Sequence, residues 1–262
     1  LKAIKKAYEE AKCIPPEMQQ AYSMVTGECE FIWRTARKNN DFKQLAPYLD
    51  RVFNMVRQIA SIKANHFKKA PYDILLDTAN PDFTTHSIQE IYAVLKAELP
   101  GLIQAIVAKQ ASEKVIPLPE KIDEATQKAI NLRIIEKMGF SLAHGRLDES
   151  AHPFCRGSND DIRLTTRYEE GNFLSSLTAT IHEAGHGLYQ QNLPQAYRDQ
   201  PVGGPKGMAF HESQSIIMER QACTSTAFME FLAALLSDEF GLKGQAYDAE
   251  NLYKLLTRVA PS

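Results

Sequence analysis

The chain has 262 residues, of which 44% are hydrophobic, and its formal net charge is −2. This length suits one large domain or two modest ones with a sizeable buried core. Because there is no basic surplus, we expect neither a nucleic-acid backbone nor an anionic membrane surface as a partner. No uninterrupted apolar run approaches the roughly 20 residues that span a bilayer.

The cysteines and the N-terminus indicate the cellular compartment. The four cysteines lie far apart and form no CxxC pair, so they predict free thiols: Cys13, Cys29, Cys155 and Cys223. The N-terminal segment is charged, unlike a signal peptide, and the first residue is not methionine. We therefore expect a cytoplasmic protein whose chain is processed or is a piece of a longer one.

Residues 1–140 have the spacing of helices interrupted by proline and glycine. Residues 71–84, which contain Pro71 and the pair Asn80-Pro81, are expected to form a loop. Phe31, Ile32 and Trp33 are expected to enter a core. The predicted helices cover residues 1–13, 16–40, 42–66 and about 120–138. Two further helices are predicted between them: one begins at a capping box at Ser87–Glu90 and ends at a bend at Pro100-Gly101, and the next runs from this bend to about residue 111.

Residues 141–262 contain the strongest indication of β structure. Ile162, Leu164 and Thr166 alternate with polar residues, which predicts a strand within a small β-sheet near residues 145–168, a segment that also holds Asn159. The predicted helices that follow cover residues 173–192, 208–239 and 246–258, after a glycine- and proline-rich loop at 194–207. We therefore predict a mainly α fold.

A metal-binding motif lies inside the helix predicted at 173–192. His182, Glu183 and His186 form the pattern HExxH. Residues four apart lie on one helix face, so both imidazoles are able to reach one Zn²⁺ ion. The carboxylate of Glu183 is then placed beside the metal and is able to accept a proton from a water that the metal activates. The sequence therefore predicts a catalytic zinc site, although Co²⁺ or another divalent metal is an alternative.

A catalytic zinc ion usually takes three protein ligands, so one more is needed. The positions where HExxHxxGxxH would place its glycine and its third histidine hold Tyr189 and Asn192, which excludes that pattern. His211, Glu212 and Glu219 on the next long helix remain as candidates. Of these, Glu219 is more simply a solvated or salt-bridged residue, and its removal is expected to leave the metal bound.

Gly185 and Gly187 stand on either side of the second motif histidine. Two interpretations of these glycines remain open. They permit either close approach of a substrate strand or close packing of a neighbouring helix.

Several ordered blocks resemble a known family. The sequence is similar to the M32 metallocarboxypeptidases of the thermostable carboxypeptidase Taq type, over about residues 70–215. The matching blocks are Tyr72–Asp77, HPF at His152–Phe154, DxRxT at Asp161–Thr165, HExxH at His182–His186 and HES-Q at His211–Gln214. Downstream blocks that resemble IRxxAD and GxxQDxHW do not occur. The resemblance therefore indicates a fragment that lacks the C-terminal part.

The resemblance implies a role for each of the matching residues. His182, His186 and Glu212 would bind zinc, and Glu183 would act as the general base. It implies a helical gluzincin-like metallopeptidase with a deep groove, which removes C-terminal residues from peptides and forms a homodimer. Residues 1–140 would then form one wall of the groove and residues 141–262 the catalytic region, as one continuous, truncated domain.

An enzyme of this kind must also recognise the terminal carboxylate of its substrate. Arg156, Arg163 and Arg167 are candidates because guanidinium groups suit carboxylates, although Arg163 has a structural alternative in pairing with Asp160 or Asp161. His152 and His211 are further candidates for substrate contact. Two rival functions remain: a zinc oligopeptidase or endopeptidase, and a non-catalytic metal-binding module. A structural zinc site needs no general base, so Glu183 disfavours the module.

Overall fold

The computed structural model describes residues 1–118, 121–158 and 160–260. The predicted helix start at residue 120 and the predicted loop residue Asn159 lie outside these ranges. The chain forms two compact units. One consists of Leu1–Ile91 with Asp199–Val202, and the other of Tyr92–Arg198 with Gly203–Ser262. The predicted division at residue 140 stays a prediction.

The described residues contain ten α-helices and one three-stranded sheet, which confirms the predicted mainly α fold with a small sheet near residues 145–168. The strands are β1 (Gly145–Glu149), β2 (Phe154–Ser158) and β3 (Asp161–Thr166). The helices are α1 (Lys2–Lys12), α2 (Pro16–Lys38), α3 (Phe42–Phe67), α4 (Pro71–Ala79), α5 (Thr85–Gln110), α6 (Glu124–Lys137), α7 (Phe173–Gln191), α8 (Met208–Ile216), α9 (Thr226–Phe240) and α10 (Ala249–Leu256).

The prediction of a loop at residues 71–84 was wrong for Pro71–Ala79, which form helix α4. Pro71 stands in the first turn, where its missing N–H is not needed, and Asp73 adds a favourable negative charge there. The loop begins only at Asn80. The predicted contribution of Phe31 to a core was also wrong, because this side chain is 73% exposed.

Helix α5 differs from its prediction at two points. Its N-terminal cap lies three residues earlier than predicted, because the Ser87 N–H donates to Thr84 Oγ1 and the Thr84 N–H donates to Ser87 Oγ. The helix also continues through Pro100 without a break. The residues around Pro100 are exposed, so water is able to satisfy the carbonyl that proline leaves without a partner.

By length and composition alone, α5 is apolar enough to cross a membrane. Its most apolar 18-residue window has a mean hydropathy of 1.5, and none of that window is buried. A single helix of this kind is weak evidence for a membrane span. The expectation that this chain has no membrane partner is therefore not tested by α5 and stays a prediction.

An ion network fixes α1 in the first unit. Asp77 on α4 is buried and pairs with Lys6 at 3.0 Å and Lys69 at 3.1 Å. The buried Lys63 on α3 pairs with Glu10 on α1 at 3.2 Å. Since α1 contains no buried residue of its own, these pairs account for much of its attachment.

The sheet of the second unit places one face against α7. The strand order is β1-β3-β2, with β1 parallel and β2 antiparallel to the central β3. As the alternation predicted, Ile162, Leu164 and Thr166 are fully buried. Each of the two aliphatic side chains contributes about 1.5–3 kcal/mol through burial. Together with Phe140 and Ala184 they hold the middle of α7 under the sheet.

The second core of this unit lies among α6, α7, α9 and α10 and includes Leu177, Met229 and Leu252. The single helix predicted at residues 208–239 is divided in the structure. After α8 the chain forms a π-helical segment, Ile217–Ala222, and α9 then starts anew with Ser225 as its N-cap. The Ser225 hydroxyl accepts the Phe228 N–H, which provides the local reason for the new start.

Candidate active site

Helix α7 carries the HExxH motif in its buried central part. Leu177 and Ile181 anchor the helix in the core, while His182 and His186 lie one turn apart on the face toward α8. Their rings are 4.9 Å apart and nearly perpendicular. The rigid core therefore fixes the backbone from which both imidazoles project.

Helix α8 brings a carboxylate to this pair. Glu212 Oε1 lies 3.2 Å from His182 Nε2, and Glu212 Oε2 lies 3.4 Å from His186 Nε2. One ligand atom from each of these three residues lies within 4.8 Å of the others, and no other such group occurs among the described residues. Two imidazoles and one carboxylate match the donor set of catalytic zinc sites, which leave a further position open.

The glycine beside the second histidine explains how α8 comes so close. A Cβ atom at Gly185 would lie 2.6 Å from Ser215 Cα and 2.9 Å from Gln214 O, both backbone atoms of α8. A Cβ at Gly187 would instead meet Phe140 and Leu164 under the sheet. Gly185 thus permits the close packing of a neighbouring helix that the second interpretation proposed, whereas Gly187 permits close packing against the sheet.

The sequence interpretation missed the role of Glu219. This residue is paired, as predicted, but it is not solvated, because its side chain is only 9% exposed. Its Oε2 lies 2.8 Å from His182 Nδ1, and its Oε1 lies 2.8 Å from Arg220 Nε. The spacing of seven residues between Glu212 and Glu219 was the available signal, because it places both on one side of a helix.

His211 lies flat against the second histidine. The rings of His211 and His186 are stacked at 4.4 Å with an interplanar angle of 9°, and Tyr189 meets His211 edge-on. The third-ligand candidate His211 is therefore not part of the ligand-atom group. Its predicted contact with substrate stays a prediction.

The two motif histidines have opposite electrostatic environments. The hydrogen bond with Glu219 raises the pKa of His182. Burial and, after it, the charges of His211 and His182 together lower the pKa of His186 to about 4. Without a metal, His186 is thus a neutral imidazole at pH 7, which is the form that binds metals.

Glu183 has the environment expected of a proton acceptor. Burial raises the pKa of its carboxyl to about 7, with Glu212 and Glu219 adding to the effect and His182 opposing it. In the edge strand β2, burial and then the charge of Glu183 raise the pKa of Cys155 to about 12. Glu183 is therefore close enough to Cys155 of β2, and to the Glu212 and Glu219 carboxylates, for their charges to interact.

The predicted substrate-binding residues outside α7 and α8 are exposed. Arg163 donates from Nε and a terminal nitrogen to Asp161 Oδ2 at 3.0 and 2.8 Å, which confirms its structural alternative. Arg167 pairs in the same way with Glu169. His152 lies in the β1–β2 loop, where its carbonyl accepts a hydrogen bond from Ser150 Oγ. Their contacts with a substrate stay predictions.

Comparison with known proteins gives consistent matches over most or all of the chain. The family model for carboxypeptidase Taq (M32) metallopeptidases matches residues 1–262. Carboxypeptidase 1 of Bacillus subtilis is 32% identical over 82% of this chain and 43% of its own length. Thermostable carboxypeptidase 1 of Pyrococcus furiosus is 30% identical over 96% of this chain and 50% of its own length. The structure of Trypanosoma cruzi metallocarboxypeptidase 1 superimposes with a TM-score of 0.89 at 33% identity, covering 100% of this chain and 52% of that one.

A histidine pair on a buried helix, joined by a carboxylate from a following helix beside a small sheet, defines a helical metallopeptidase. The chain belongs to the carboxypeptidase Taq (M32) metallopeptidase family. It spans about half the length of the relatives that it matches. Membership in a family of metallopeptidases implies a divalent metal, and His182, His186 and Glu212 form a group that is able to hold it.

Proposed function

We propose that this chain carries the catalytic centre of a zinc-dependent metallocarboxypeptidase, which hydrolyses the C-terminal residue of a peptide. The observation that supports the proposal most is the convergence of His182, His186 and Glu212 beside the buried Glu183. Membership in the M32 family supports the reaction class. Zn²⁺ is the proposed metal because two imidazoles and one carboxylate are a common catalytic zinc set, while Co²⁺ and other divalent ions fit the same donors.

His182, His186 and Glu212 would hold the metal, which would supply Lewis-acid activation of a water molecule and polarisation of the scissile carbonyl. Glu183 accepts the proton of the attacking water, which is the role of the glutamate that directly follows the first histidine in an HExxH motif. After attack, Glu183 passes this proton to the nitrogen of the leaving amino acid. The carboxylate thus ends the cycle in its original ionised form.

Recognition of the free C-terminus is a separate part of the proposal. Among the candidates from the sequence, His211 is the one that contacts the proposed metal site, because its ring stacks on that of His186. His152 and Arg163 are proposed to reach substrate from the β1–β2 loop and β3. To bind substrate, the Arg163 guanidinium would have to leave the Asp161 carboxylate and pair with the carboxylate of the substrate instead.

The oligomeric state and the cellular compartment are proposed from two features: the family resemblance implies a homodimer, and the cysteine pattern favours a reducing compartment. We propose a homodimer in a reducing, cytoplasmic compartment that acts on peptides. The four free cysteines are consistent with a reducing compartment.

The test combines metal content with product analysis on a peptide that has a free C-terminus. The expected result is one Zn²⁺ per chain, stepwise release of C-terminal amino acids, and loss of release after chelation. A peptide of the same sequence with an amidated C-terminus is the matched control and should be cut poorly. Internal cleavage of both peptides would instead indicate an endopeptidase or oligopeptidase. Zinc binding without any cleavage, also in a version extended to the length of the relatives, would indicate a non-catalytic module.

The 262-residue chain should also be compared with a version extended to the length of its relatives. We expect weaker activity per bound zinc in the shorter chain, because substrate placement near the metal depends on every wall of the site. Equal activity per zinc would contradict this expectation.

A further inference from the structure

The side of His182 that faces away from Glu212 is held by a buried carboxylate. Glu219 Oε2 lies 2.8 Å from His182 Nδ1, while Glu212 lies near Nε2 on the opposite edge of the same ring. An ionised carboxylate is only able to accept hydrogen bonds. Arg220 Nε, 2.8 Å from Glu219 Oε1, favours that ionised form. The Nδ1 atom of His182 must therefore carry the proton, which leaves the Nε2 lone pair directed at the metal group.

Glu219 occupies a position where a carboxylate is costly. Its side chain is 9% exposed, and removing an ion from water costs several kcal/mol unless partners replace the solvent. It stands between Met218 and Arg220 in the π-helical segment, and Met218 packs against the apolar core. An apolar residue would fill this space at lower cost. The hydrogen bond between this carboxylate and His182 Nδ1 therefore explains why a glutamate occupies the position.

The π-helical segment gives Glu219 its direction. Glu212 and Glu219 are seven residues apart, so in a continuous α-helix their side chains would project almost in parallel. The widening that begins at Ile217 changes the direction of Glu219 relative to Glu212. Such local widening is frequent at functional sites because it re-aims side chains without breaking the helix. Here one carboxylate meets Nε2 and the other meets Nδ1 of a single imidazole.

We infer that Glu219 is a positioning residue of the metal site, which fixes the ring orientation and tautomer of His182. The inference rests on the proposed metal site and extends it by one residue. Partners of this kind typically change metal affinity by roughly 10–100-fold. It reverses the expectation from the sequence that loss of Glu219 leaves the metal bound.

The experiment measures the Zn²⁺ affinity of the 262-residue chain by competition with a chromophoric chelator. Glu219→Ala and Glu219→Leu should bind Zn²⁺ roughly 10–100-fold more weakly. Glu219→Gln should keep most of the affinity, because its amide oxygen still accepts the Nδ1 proton. This rescue by glutamine separates positioning of His182 from a general need for a charge.

Asp77→Asn is the matched control, since it changes a buried, ion-paired carboxylate in the other compact unit. It should lower stability but leave the Zn²⁺ affinity of the folded chain unchanged. Circular dichroism of each metal-free variant checks that helical structure is retained.

The outcomes separate the two proposals. Parent-like affinity in Glu219→Ala and Glu219→Leu would overturn the positioning role while the metal site stands. An equal loss in Glu219→Gln and Glu219→Ala would also overturn it, because the hydrogen bond would then be irrelevant. Failure of the parent chain to bind Zn²⁺ would refute the metal site itself, and with it this inference.

Discussion

Gly185 of α7 lies directly against the backbone of Ser215 in α8, at a distance that only a residue without a side chain permits. A Cβ atom at position 185 would stand 2.6 Å from Ser215 Cα. Because α8 continues directly into the π-helical segment, the backbone of Ser215 cannot move away singly, so α8 would have to shift as a whole. Because Glu212 is on the same helix, its distance to His182 and His186 depends on this contact.

Gly185→Ala should therefore weaken Zn²⁺ binding and lower the free energy of unfolding by about 1–3 kcal/mol, the usual cost of overpacking. Chemical denaturation of the metal-free chain and chelator competition measure the two effects. Gly27→Ala in α2 is the matched control, since a Cβ there meets nothing within 4 Å. It should be stabilising by roughly 0.5–1 kcal/mol, because alanine is the better helix former. Unchanged zinc affinity in Gly185→Ala would contradict the proposed dependence on helix spacing.

Glu183→Gln should leave Zn²⁺ affinity close to that of the parent and reduce turnover by roughly 10²–10⁴-fold, since general-base help is lost while the ligands remain. Metal stoichiometry and release of C-terminal amino acids are measured on the same preparation. The extended chain is the better background, because its activity is expected to be higher. Near-normal turnover would remove Glu183 from the mechanism.

Glu212→Ala should weaken Zn²⁺ binding by more than the roughly 10–100-fold expected when an outer partner is removed, because a direct ligand is lost. Glu239→Ala is its control. This exposed glutamate on α9 pairs with Arg133, away from the histidines. If Glu212→Ala bound zinc as tightly as Glu239→Ala, another residue would have to be the third ligand.

The parts of the site that were predictable are those that depend on one helix or one strand. The spacing of His182 and His186 and the alternation around Leu164 are local, so periodicity predicted both. The third ligand was not local. The residues alone left Glu212, Glu219 and His211 open, and the resemblance to a family selected Glu212. The structure separates these three by how α8 and the π-helical segment pack against α7.

The failed predictions have related causes. The sequence predicts a loop at Pro71 and a bend at Pro100, but the effect of proline on a helix depends on its position. In a first turn it costs nothing, and in an exposed helix water is able to satisfy the freed carbonyl. The break after Ala222 was missed because the π-helical widening and the Ser225 cap leave little trace in hydrophobic spacing.

A thiol titration of the denatured, unreduced chain should find four free thiols. In the folded chain Cys155 and Cys223 should react slowly, because burial raises the pKa of each to about 12 and the thiolate is the reactive form. Cys13, which is partly exposed, should react first. Two or fewer thiols after denaturation would mean that disulfides form.

The last prediction concerns the pH dependence of stability in the first unit. Burial alone would raise the pKa of Asp77, but the Asp82 N–H and the ammonium groups of Lys6 and Lys69 outweigh it and lower the pKa to about 2. The unfolded chain has a value near 3.9 for aspartate. Since the folded pKa is the lower one, the stabilisation is complete above the unfolded value and disappears as the pH falls toward 2.

Asp77→Asn should thus be less stable than the parent by on the order of 2 kcal/mol at pH 7, with the difference shrinking between about pH 5 and pH 2. Urea denaturation of both chains across this range gives the difference directly, and the subtraction cancels the titration of other carboxylates. Asp50→Asn, which changes an exposed aspartate of the same unit, should differ little from the parent at every pH. A difference between Asp77→Asn and the parent that stays constant down to pH 2 would show that the ionised carboxylate is not what stabilises the attachment of α1.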